Sequence, residues 1–279
     1  MRIRKGFLAA FAWTLLIVSV GNGCEPVGEP IASPDLFNSG RILEPDAGYI
    51  RLDCEQSAEL PETLAIYCFE DNDQPNDIVV DSTGQHDGKI IGTKTRVVRG
   101  PTCCGMARFF SESNSASYIE IPDSHDWDLD KGSISFWVRI NACFIAGQSQ
   151  GLISRASADR DEDGHLGLLL LSECNWAAFA AVDGEAIEVR ADRSLTPGKW
   201  SHININFGPP GLELYLDGRL VAEDTFRSGM EGSRNPWVIG ADTREAKPGT
   251  ASPPVHFLTG AAIDLLRISS ARNKLVFLE

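Results

Sequence analysis

The stretch "KWSHININFGPPGLELYLDGRLV", residues 199–221, contains two runs of alternating polar and apolar residues around a Gly-Pro-Pro-Gly turn. Alternation with a period of two is typical of a β-strand that turns one face to a core and the other to solvent. Ile203, Ile205 and Phe207 share one face of the first run, and polar residues from His202 to Asn206 share the other. The stretch therefore predicts an antiparallel hairpin with one buried face.

Short alternating segments of the same kind recur from about residue 65 onward, separated by clusters of Gly, Asp, Asn and Pro. Almost no segment has an apolar period of 3.6 that is long enough for a helix. About 215 residues of short strands favour one all-β domain over 65–279, an antiparallel β-sandwich or barrel, rather than two domains. The segments differ from one another, which argues against a propeller or another repeat array.

The first 23 residues combine basic residues near the start with an apolar run from Phe7 to Val20. This run is shorter than the roughly 20 residues that a membrane-spanning helix needs, so residues 1–23 are predicted to be an export signal. Residues 24–64 are rich in Pro, Gly, Ser and acidic residues and show no sustained periodicity. They predict a tether or a loosely packed lead-in to the domain.

The signal ends in Gly21-Asn22-Gly23-Cys24, which resembles the lipobox of bacterial lipoproteins, although that motif usually has Leu where this chain has Gly21. The resemblance implies cleavage before Cys24 and lipidation of its thiol. Glu25 then favours the outer membrane in a cell that has two membranes, since it differs from the Asp of inner-membrane retention signals. A secreted protein with a free Cys24 remains the alternative.

The chain is acidic, and export would make it more so. Cleavage of the signal would remove Arg2, Arg4 and Lys5 and no acid, so the formal net charge of −14 would become −17. Such a surface repels phosphate backbones and anionic lipid, and no basic stripe offsets it. Nucleic acid is therefore not an expected partner, and the lipid anchor is the only expected membrane contact. Neutral glycans, calcium and envelope or extracellular proteins remain compatible.

Six cysteines remain beside Cys24, and an even number in an exported chain predicts disulfides rather than a metal site. A hairpin turn near Asp161 would bring the segment after Cys143 opposite Cys174, which predicts a Cys143–Cys174 bridge. Adjacent cysteines rarely bridge each other, so Cys103 and Cys104 are each expected to pair with Cys54 or Cys68, in an order that the sequence leaves open.

A family resemblance rests on six motifs in a fixed order. The motifs are "DSTGQHDG" (81–88), "SYIEIPDS" (117–124), "GSISFWVRI" (132–140), "PGKWSHINI" (197–205), "LELYLDGRLV" (212–221) and "GAAIDLLRI" (260–268). In this order they resemble the laminin-G-like jelly roll of the concanavalin A-like lectin and glucanase superfamily. The resemblance implies two stacked antiparallel sheets, a role in binding glycans or proteins, and often a calcium ion at a rim. It also implies that Trp137 and Trp200 fill the core.

The polar face of the opening hairpin is the candidate ligand surface. If it lines the concave side of the sandwich, His202, Asn204 and Tyr215 would offer hydrogen-bonding groups and a ring to a sugar. If it lies on the convex side, the row is simply solvated, as one face of an antiparallel sheet commonly is. Trp127, in a polar loop, is a further candidate platform for a ligand.

Acidic turns supply the candidate calcium ligands. Asp159, Asp161 and Asp163 alternate before Gly164, like the first half of a calcium loop, but Leu170 stands where an EF-hand has its closing Glu. An acidic hairpin turn without a metal explains the same residues. The resemblance implies a second candidate site near Asp81 and Asp264, although Asp81 could instead cap its own turn.

The enzymes of this superfamily place two glutamates and an aspartate on one strand in an ExDxxE pattern, which gives the paired carboxylates of retaining chemistry. This pattern is absent from the sequence, and the five histidines are scattered. The expected function is therefore non-catalytic recognition of carbohydrate or protein in the cell envelope. A divergent polysaccharide hydrolase and a purely structural envelope lipoprotein remain the alternatives.

Overall fold

The computed structural model describes most of the predicted domain. The described residues are 58–60, 62–70, 77–93, 95–101, 105–111, 116–144, 149–156, 164–182, 185–244 and 254–273. Cys24 and Asp159, Asp161 and Asp163 therefore lie outside the described residues, as do the export signal and most of the tether. No helix in these ranges is long and apolar enough to cross a membrane.

Strands dominate the described residues, as the alternating pattern predicts. They are β1 Thr63–Tyr67, β2 Ile78–Val79, β3 Gly88–Ile91, β4 Thr95–Arg99, β5 Met106–Phe110, β6 Tyr118–Ile121, β7 Gly132–Ile140, β8 Gln150–Arg155, β9 His165–Leu170, β10 Trp176–Val182, β11 Glu185–Arg190, β12 Trp200–Phe207, β13 Leu212–Leu216, β14 Arg219–Asp224, β15 Trp237–Ile239 and β16 Ala261–Ser269. The first strand begins at Thr63, close to the domain start predicted at residue 65.

The strands form two antiparallel sheets that stack as a sandwich. The first sheet has the order β14-β13-β12-β7-β16-β5-β4, and β1 pairs with β16 beside it. The second sheet has the order β11-β10-β9-β8-β15-β6-β3-β2. Neighbouring strands are often distant in sequence: β7, for example, lies between β12 and β16. The predicted all-β sandwich of jelly-roll type is confirmed.

One large apolar core lies between the two sheets. Ile203, Ile205 and Phe207 of β12 contribute to it from the first sheet, and Leu168 and Trp176 contribute from the second. The alternation in β12 thus sends its apolar side chains into the sandwich and its polar side chains to the opposite face. Burial of this shared core is the dominant stabilising term of the fold.

The opening stretch forms the predicted hairpin. Ile203 pairs with Leu216, Asn204 with Tyr215 and Asn206 with Glu213. The turn between β12 and β13 is closed by a hydrogen bond from Gly211 N–H to Gly208 O of 2.9 Å. Gly208 has a φ of +80°, and a Cβ there would meet the carbonyl oxygen of Asp130 at 2.2 Å, so this position requires glycine.

The Cys143–Cys174 disulfide is confirmed, with the two Cα atoms 4.8 Å apart. The physical basis is the predicted hairpin, since β8 pairs with β9 and Gln150 lies opposite Leu170. Cys68 is also disulfide-bonded. The other three cysteines of the open pairing question lie outside the described residues.

Candidate functional site

The outer face of the first sheet, which points away from the core, carries the predicted ligand residues. Strand register sorts its side chains into rows that run across the strands. The row nearest one end of the sandwich, here called the arginine–aromatic row, consists of Arg96, Phe109, Ala262, Arg139 and Trp200 on β4, β5, β16, β7 and β12. The next rows contain the polar residues that the sequence singled out.

His202, Asn204 and Tyr215 do lie together on this face, but they are buried. Their exposed fractions are 1%, 2% and 6%. Ser135 of β7 lies opposite Asn204, and Trp137 lies opposite His202, with the two rings 5.3 Å apart edge to face. A ligand would therefore reach this polar row only after a rearrangement of what covers it. Binding by these three residues stays a prediction.

The segment after β16 occupies part of the polar row. Asn204 Nδ2 donates to the carbonyl oxygen of Asn273 at 2.8 Å, and the Asn273 N–H donates to Asn206 Oδ1 at 3.0 Å. Arg272 forms an ion pair with Glu213 at 3.1 Å. The asparagine side chains of β12 thus bind the backbone of the chain's own C-terminal segment.

Glu213 completes the network from β13. Its Oε2 accepts hydrogen bonds from Asn206 Nδ2 at 3.0 Å and from the Tyr215 hydroxyl at 2.9 Å. Burial raises the pKa of Tyr215, and the hydrogen bond to the Glu213 carboxylate raises it further. Tyr215 therefore remains a neutral donor at physiological pH.

Burial also determines the charge of the histidine in the row. It lowers the pKa of His202 to about 3, because the charged form would lose its hydration in this environment. His202 is therefore neutral at physiological pH. Its imidazole cannot supply positive charge to a ligand there.

Asp264 lies in the same row as Trp137 and His202, opposite Trp137 on β16. It is 1% exposed, and its Oδ1 accepts a 2.7 Å hydrogen bond from the Leu265 N–H. Burial raises the pKa of Asp264 to about 8, so the carboxyl is mainly protonated at pH 7. A cation site needs the ionised form, and this environment disfavours it.

Asp81 caps its own turn, which is the non-metal interpretation that the sequence left open. Its Oδ1 accepts from the N–H groups of Ile66 and Thr83, at 2.9 and 3.1 Å. Its Oδ2 accepts from the Thr83 hydroxyl and from the N–H groups of Gln85 and His86. These bonds use the lone pairs that a cation would need. Within the described ranges, no group of three or more His, Cys, Asp or Glu side chains could hold a metal ion.

Trp127 was expected to be an exposed platform for a ligand, but it is buried. It ends a short 3₁₀ helix, His125–Trp127, and its side chain belongs to the main core with 0% exposed. The indole Nε1 donates to the Pro122 carbonyl at 3.1 Å, and the ring packs against His86 at 4.3 Å.

Arg155 holds this loop in place. It donates to the carbonyl oxygens of Trp127, Met230, Ser233 and Asn235, and its 2.9 Å ion pair with Asp123 completes this buried network. The loop thus turns its tryptophan inward.

The arginine–aromatic row differs from the polar rows because its cationic side chains reach solvent. Arg96 is exposed, and Arg139 and Trp200 are half-buried. The guanidinium carbon of Arg96 lies 4.8 Å from the centre of the Phe109 ring, and that of Arg139 lies 5.1 Å from the Trp200 ring. These are cation–π distances. Beneath the rings, Phe109 and Trp200 pack with Ala107 and Ala262 in a small apolar cluster.

Trp137 and Trp200 therefore lie on the outer face rather than between the sheets. The resemblance implied that they fill the core, and the phase of the strands explains the difference. Phe136 and Val138 of β7 point into the main core, so Trp137 between them points outward. Trp200 lies opposite Arg139 in the register and takes the same side.

Comparison with known proteins agrees with this architecture. A family model described as the concanavalin A-like lectin/glucanases superfamily, laminin G type, matches residues 113–272. The chain belongs to this superfamily. A search of curated proteins gave no match.

Solved structures of similar fold come from several kinds of protein. Domain 4 of a GH43 extracellular arabinanase from Geobacillus stearothermophilus, in complex with arabinotriose, is 20% identical with a TM-score of 0.55, and the match covers 77% of this chain and 97% of that domain. Trypanosoma rangeli sialidase is 13% identical with a TM-score of 0.54, covering 79% of this chain and 33% of its own. Botulinum neurotoxin type C, whose cell entry depends on interaction with two ganglioside molecules, is 12% identical with a TM-score of 0.51, covering 76% and 48%. The chain thus spans a third of the sialidase and about half of the toxin chain, and these likenesses show the fold.

The arginine–aromatic row was not predicted from the sequence, although two of its residues could be placed on the outward face from the alternating pattern. Arg139 stands in the outward phase of "SISFWVRI", and Trp200 begins the opening hairpin. Their pairing depends on β7 lying beside β12, which is set by the fold rather than by sequence proximity. Arg96 lies on β4, which the sequence pattern does not predict.

Proposed function

We propose that the chain is a non-catalytic glycan-binding module of the cell envelope. The observation that carries this proposal is the arginine–aromatic row, which presents a half-buried indole and two guanidinium groups on the outer face of the first sheet. Sugars bind proteins by placing their apolar ring faces on aromatic side chains and their hydroxyls on fixed polar groups. The part-exposed Trp200 ring and the Arg139 guanidinium that lies over it supply both kinds of group.

The similar solved structures support the carbohydrate class. The arabinanase domain is almost wholly covered by the match and was solved with arabinotriose, and cell entry of botulinum neurotoxin type C depends on gangliosides. A protein ligand is the second candidate, since the superfamily resemblance implies both kinds of recognition. A partly aromatic sheet face is compatible with either class.

A divergent hydrolase is the less favoured alternative, because Glu213 and Asp264 on the outer face are bound by other side chains or buried. Retaining glycosidases need two carboxyl groups about 5 Å apart and accessible to the sugar. The Glu213 carboxylate already binds Asn206, Tyr215 and Arg272. The Asp264 carboxyl is buried on β16. These two acids therefore do not form an accessible carboxylate pair on this face.

Export and anchoring are part of the proposal. Residues 1–23 would direct export, and a lipid on Cys24 would hold the module at the envelope through the tether of residues 24–64. Detergent fractionation and mass spectrometry of the N-terminal peptide test this. A lipidated Cys24, lost with release of the protein in Cys24→Ser, supports anchoring. An unmodified peptide from soluble protein would instead fit plain secretion.

A structural calcium ion is proposed at Asp159, Asp161 and Asp163, because three carboxylates at alternate positions in the sequence offer hard oxygen ligands. Its measurement is the melting temperature with calcium and with a chelator. A rise with calcium that disappears in Asp161→Asn supports the site. Equal melting temperatures in both solutions would leave these residues as an acidic turn.

A glycan array tests the proposed function as a whole. Saturable binding to a defined set of glycans, together with intact glycans after prolonged incubation, is the expected result. Silence across the array would favour a protein ligand, and a structural role if no protein binds either. Shortening of a polysaccharide that a single Asp or Glu substitution abolishes would establish a hydrolase.

A further inference from the structure

Several arginines of the described chain pair with acids, whereas the two arginines of the arginine–aromatic row contact aromatic rings. Arg155, Arg190, Arg234, Arg244 and Arg272 each lie within 3.1 Å of a carboxylate oxygen. Among the described residues, no carboxylate forms such a pair with Arg96 or Arg139, and their guanidinium groups contact aromatic rings instead. On a chain with a net charge of −14, the row therefore brings two guanidinium groups to one sheet face.

The ring contacts hold each guanidinium without using its hydrogen-bond donors. A guanidinium that lies over an aromatic face keeps the N–H groups at its edge free to bind a second group. The planar fork of these N–H groups matches a carboxylate, which can accept two parallel hydrogen bonds. Arg96 over Phe109 and Arg139 over Trp200 are therefore two positioned sites for carboxylate groups.

The spacing of the two sites indicates an extended ligand. Arg96 is on β4 and Arg139 on β7, with β5 and β16 between them. Three strand spacings of about 4.8 Å place their Cα atoms roughly 14 Å apart. Ala262, midway along the row, has a side chain too small to divide the surface. A single sugar cannot reach both guanidinium groups, whereas a chain of several sugars can.

We propose that the arginine–aromatic row binds an acidic polysaccharide whose repeating carboxylates pair with Arg96 and Arg139. This inference rests on the proposed glycan-binding function and specifies its ligand class. The negative charge elsewhere on the protein repels such a ligand, so contact is confined to the row. The row thus selects the ligand by local charge complementarity.

The test compares three probes that differ in charge. Polygalacturonate carries carboxylates, its fully methyl-esterified form has the same backbone without charge, and dextran sulfate carries sulfates on another backbone. Affinity is measured by titration calorimetry with the purified protein. We expect polygalacturonate to bind, its methyl ester to bind at least tenfold more weakly, and higher salt to weaken binding, because ions screen exposed charges. Tighter binding of dextran sulfate than of polygalacturonate would overturn the assignment to carboxylates.

The variants are Arg96→Gln, Arg139→Gln and the double substitution. Arg190→Gln is the matched control, because it removes the same charge from an exposed arginine on the second sheet. Each single variant is expected to weaken polygalacturonate binding by roughly threefold to tenfold, and the double variant by more, while the control stays within about twofold. Equal weakening by the control would show a general charge effect and overturn the inference.

The outcomes separate this inference from the proposed function. Binding of neutral glycans that the double variant leaves unchanged would retain the proposed function and refute the acidic ligand. Binding of an acidic protein that the double variant abolishes, with no glycan binding by the native protein, would refute both. Circular dichroism and melting temperature of each variant identify any loss of fold.

Discussion

Arg139 and Trp200 stand directly opposite each other on β7 and β12, with the guanidinium carbon 5.1 Å from the centre of the indole ring. Both side chains are half-buried, while the polar residues farther along the same face are covered. The accessible part of the face is therefore the part with cations and rings. Ligand recognition at this position would need no movement of the C-terminal segment.

Replacement of Trp200 by Leu is expected to weaken glycan binding by about 1 kcal/mol, or roughly fivefold, because a sugar loses the flat ring surface. Leu220 is the matched control: it is 48% exposed on β14 of the same sheet, and Leu220→Ala should leave affinity unchanged. Titration calorimetry with the best glycan from the array measures both. Unchanged affinity in Trp200→Leu would remove the indole from the site.

Asp264 is expected to make stability depend on pH. Its folded pKa of about 8 lies above the unfolded value near 3.8, so between these values the folded state retains a proton that the unfolded state releases. Stability then falls as pH rises, by up to about 1.4 kcal/mol per pH unit from this group. Asp264→Asn should remove this slope and raise stability more at pH 8 than at pH 4.

Urea unfolding at pH 4, 6 and 8 measures the slope. The matched control is Asp192→Asn, since Asp192 is an exposed acid in the loop after β11. This variant removes an exposed carboxyl, and the pH profile of Asp264→Asn is compared with its profile. A native protein whose stability has the same pH profile as Asp264→Asn would show that this carboxyl is ionised in the fold.

Asn206 is expected to matter for the C-terminal segment. It is 1% exposed and bonds both the Asn273 N–H and Glu213, so Asn206→Ala leaves both groups without this partner. The expected cost is about 1–3 kcal/mol in the free energy of unfolding, with faster cleavage of the C-terminal segment by carboxypeptidase. Equal stability and equal cleavage rates would mean that the segment is held by other contacts.

The Cys143–Cys174 bridge closes a loop of sequence separation 31. In the chain-entropy model such a loop contributes about 3–4 kcal/mol, so the double Cys→Ser variant should unfold at correspondingly lower urea concentration. The variant is a sharper test than a reductant, because Cys68 is also disulfide-bonded. A change below roughly 1 kcal/mol would show that the unfolded chain is already restricted there.

Local alternation predicted the fold and most strands because each strand's pattern reports which face is buried. The pairing of Asn204 with Tyr215 and the Cys143–Cys174 bridge follow from hairpins, which are also local in sequence. The strand β4 was not predicted, because "TRVVR" mixes charged and apolar residues on both faces. Edge strands often have such weak patterns.

Exposure of the outer face could not be predicted in the same way. Asn204 is covered by Asn273, which is 69 residues away in the chain. Trp127 is turned inward by a loop that Arg155, 28 residues away, holds in place. Contacts of this range depend on the finished topology, and a pattern of neighbouring residues does not record them.

A crystal structure of the protein with an oligomer of galacturonic acid would show directly whether the arginine–aromatic row is the binding surface. We expect sugar density along the row beside Trp200, with carboxylates within about 3 Å of the Arg96 and Arg139 guanidinium groups and residues 271–273 still in contact with β12. Sugar on the second sheet, or in the place of Asn273 beside Asn204, would refute the proposed binding surface.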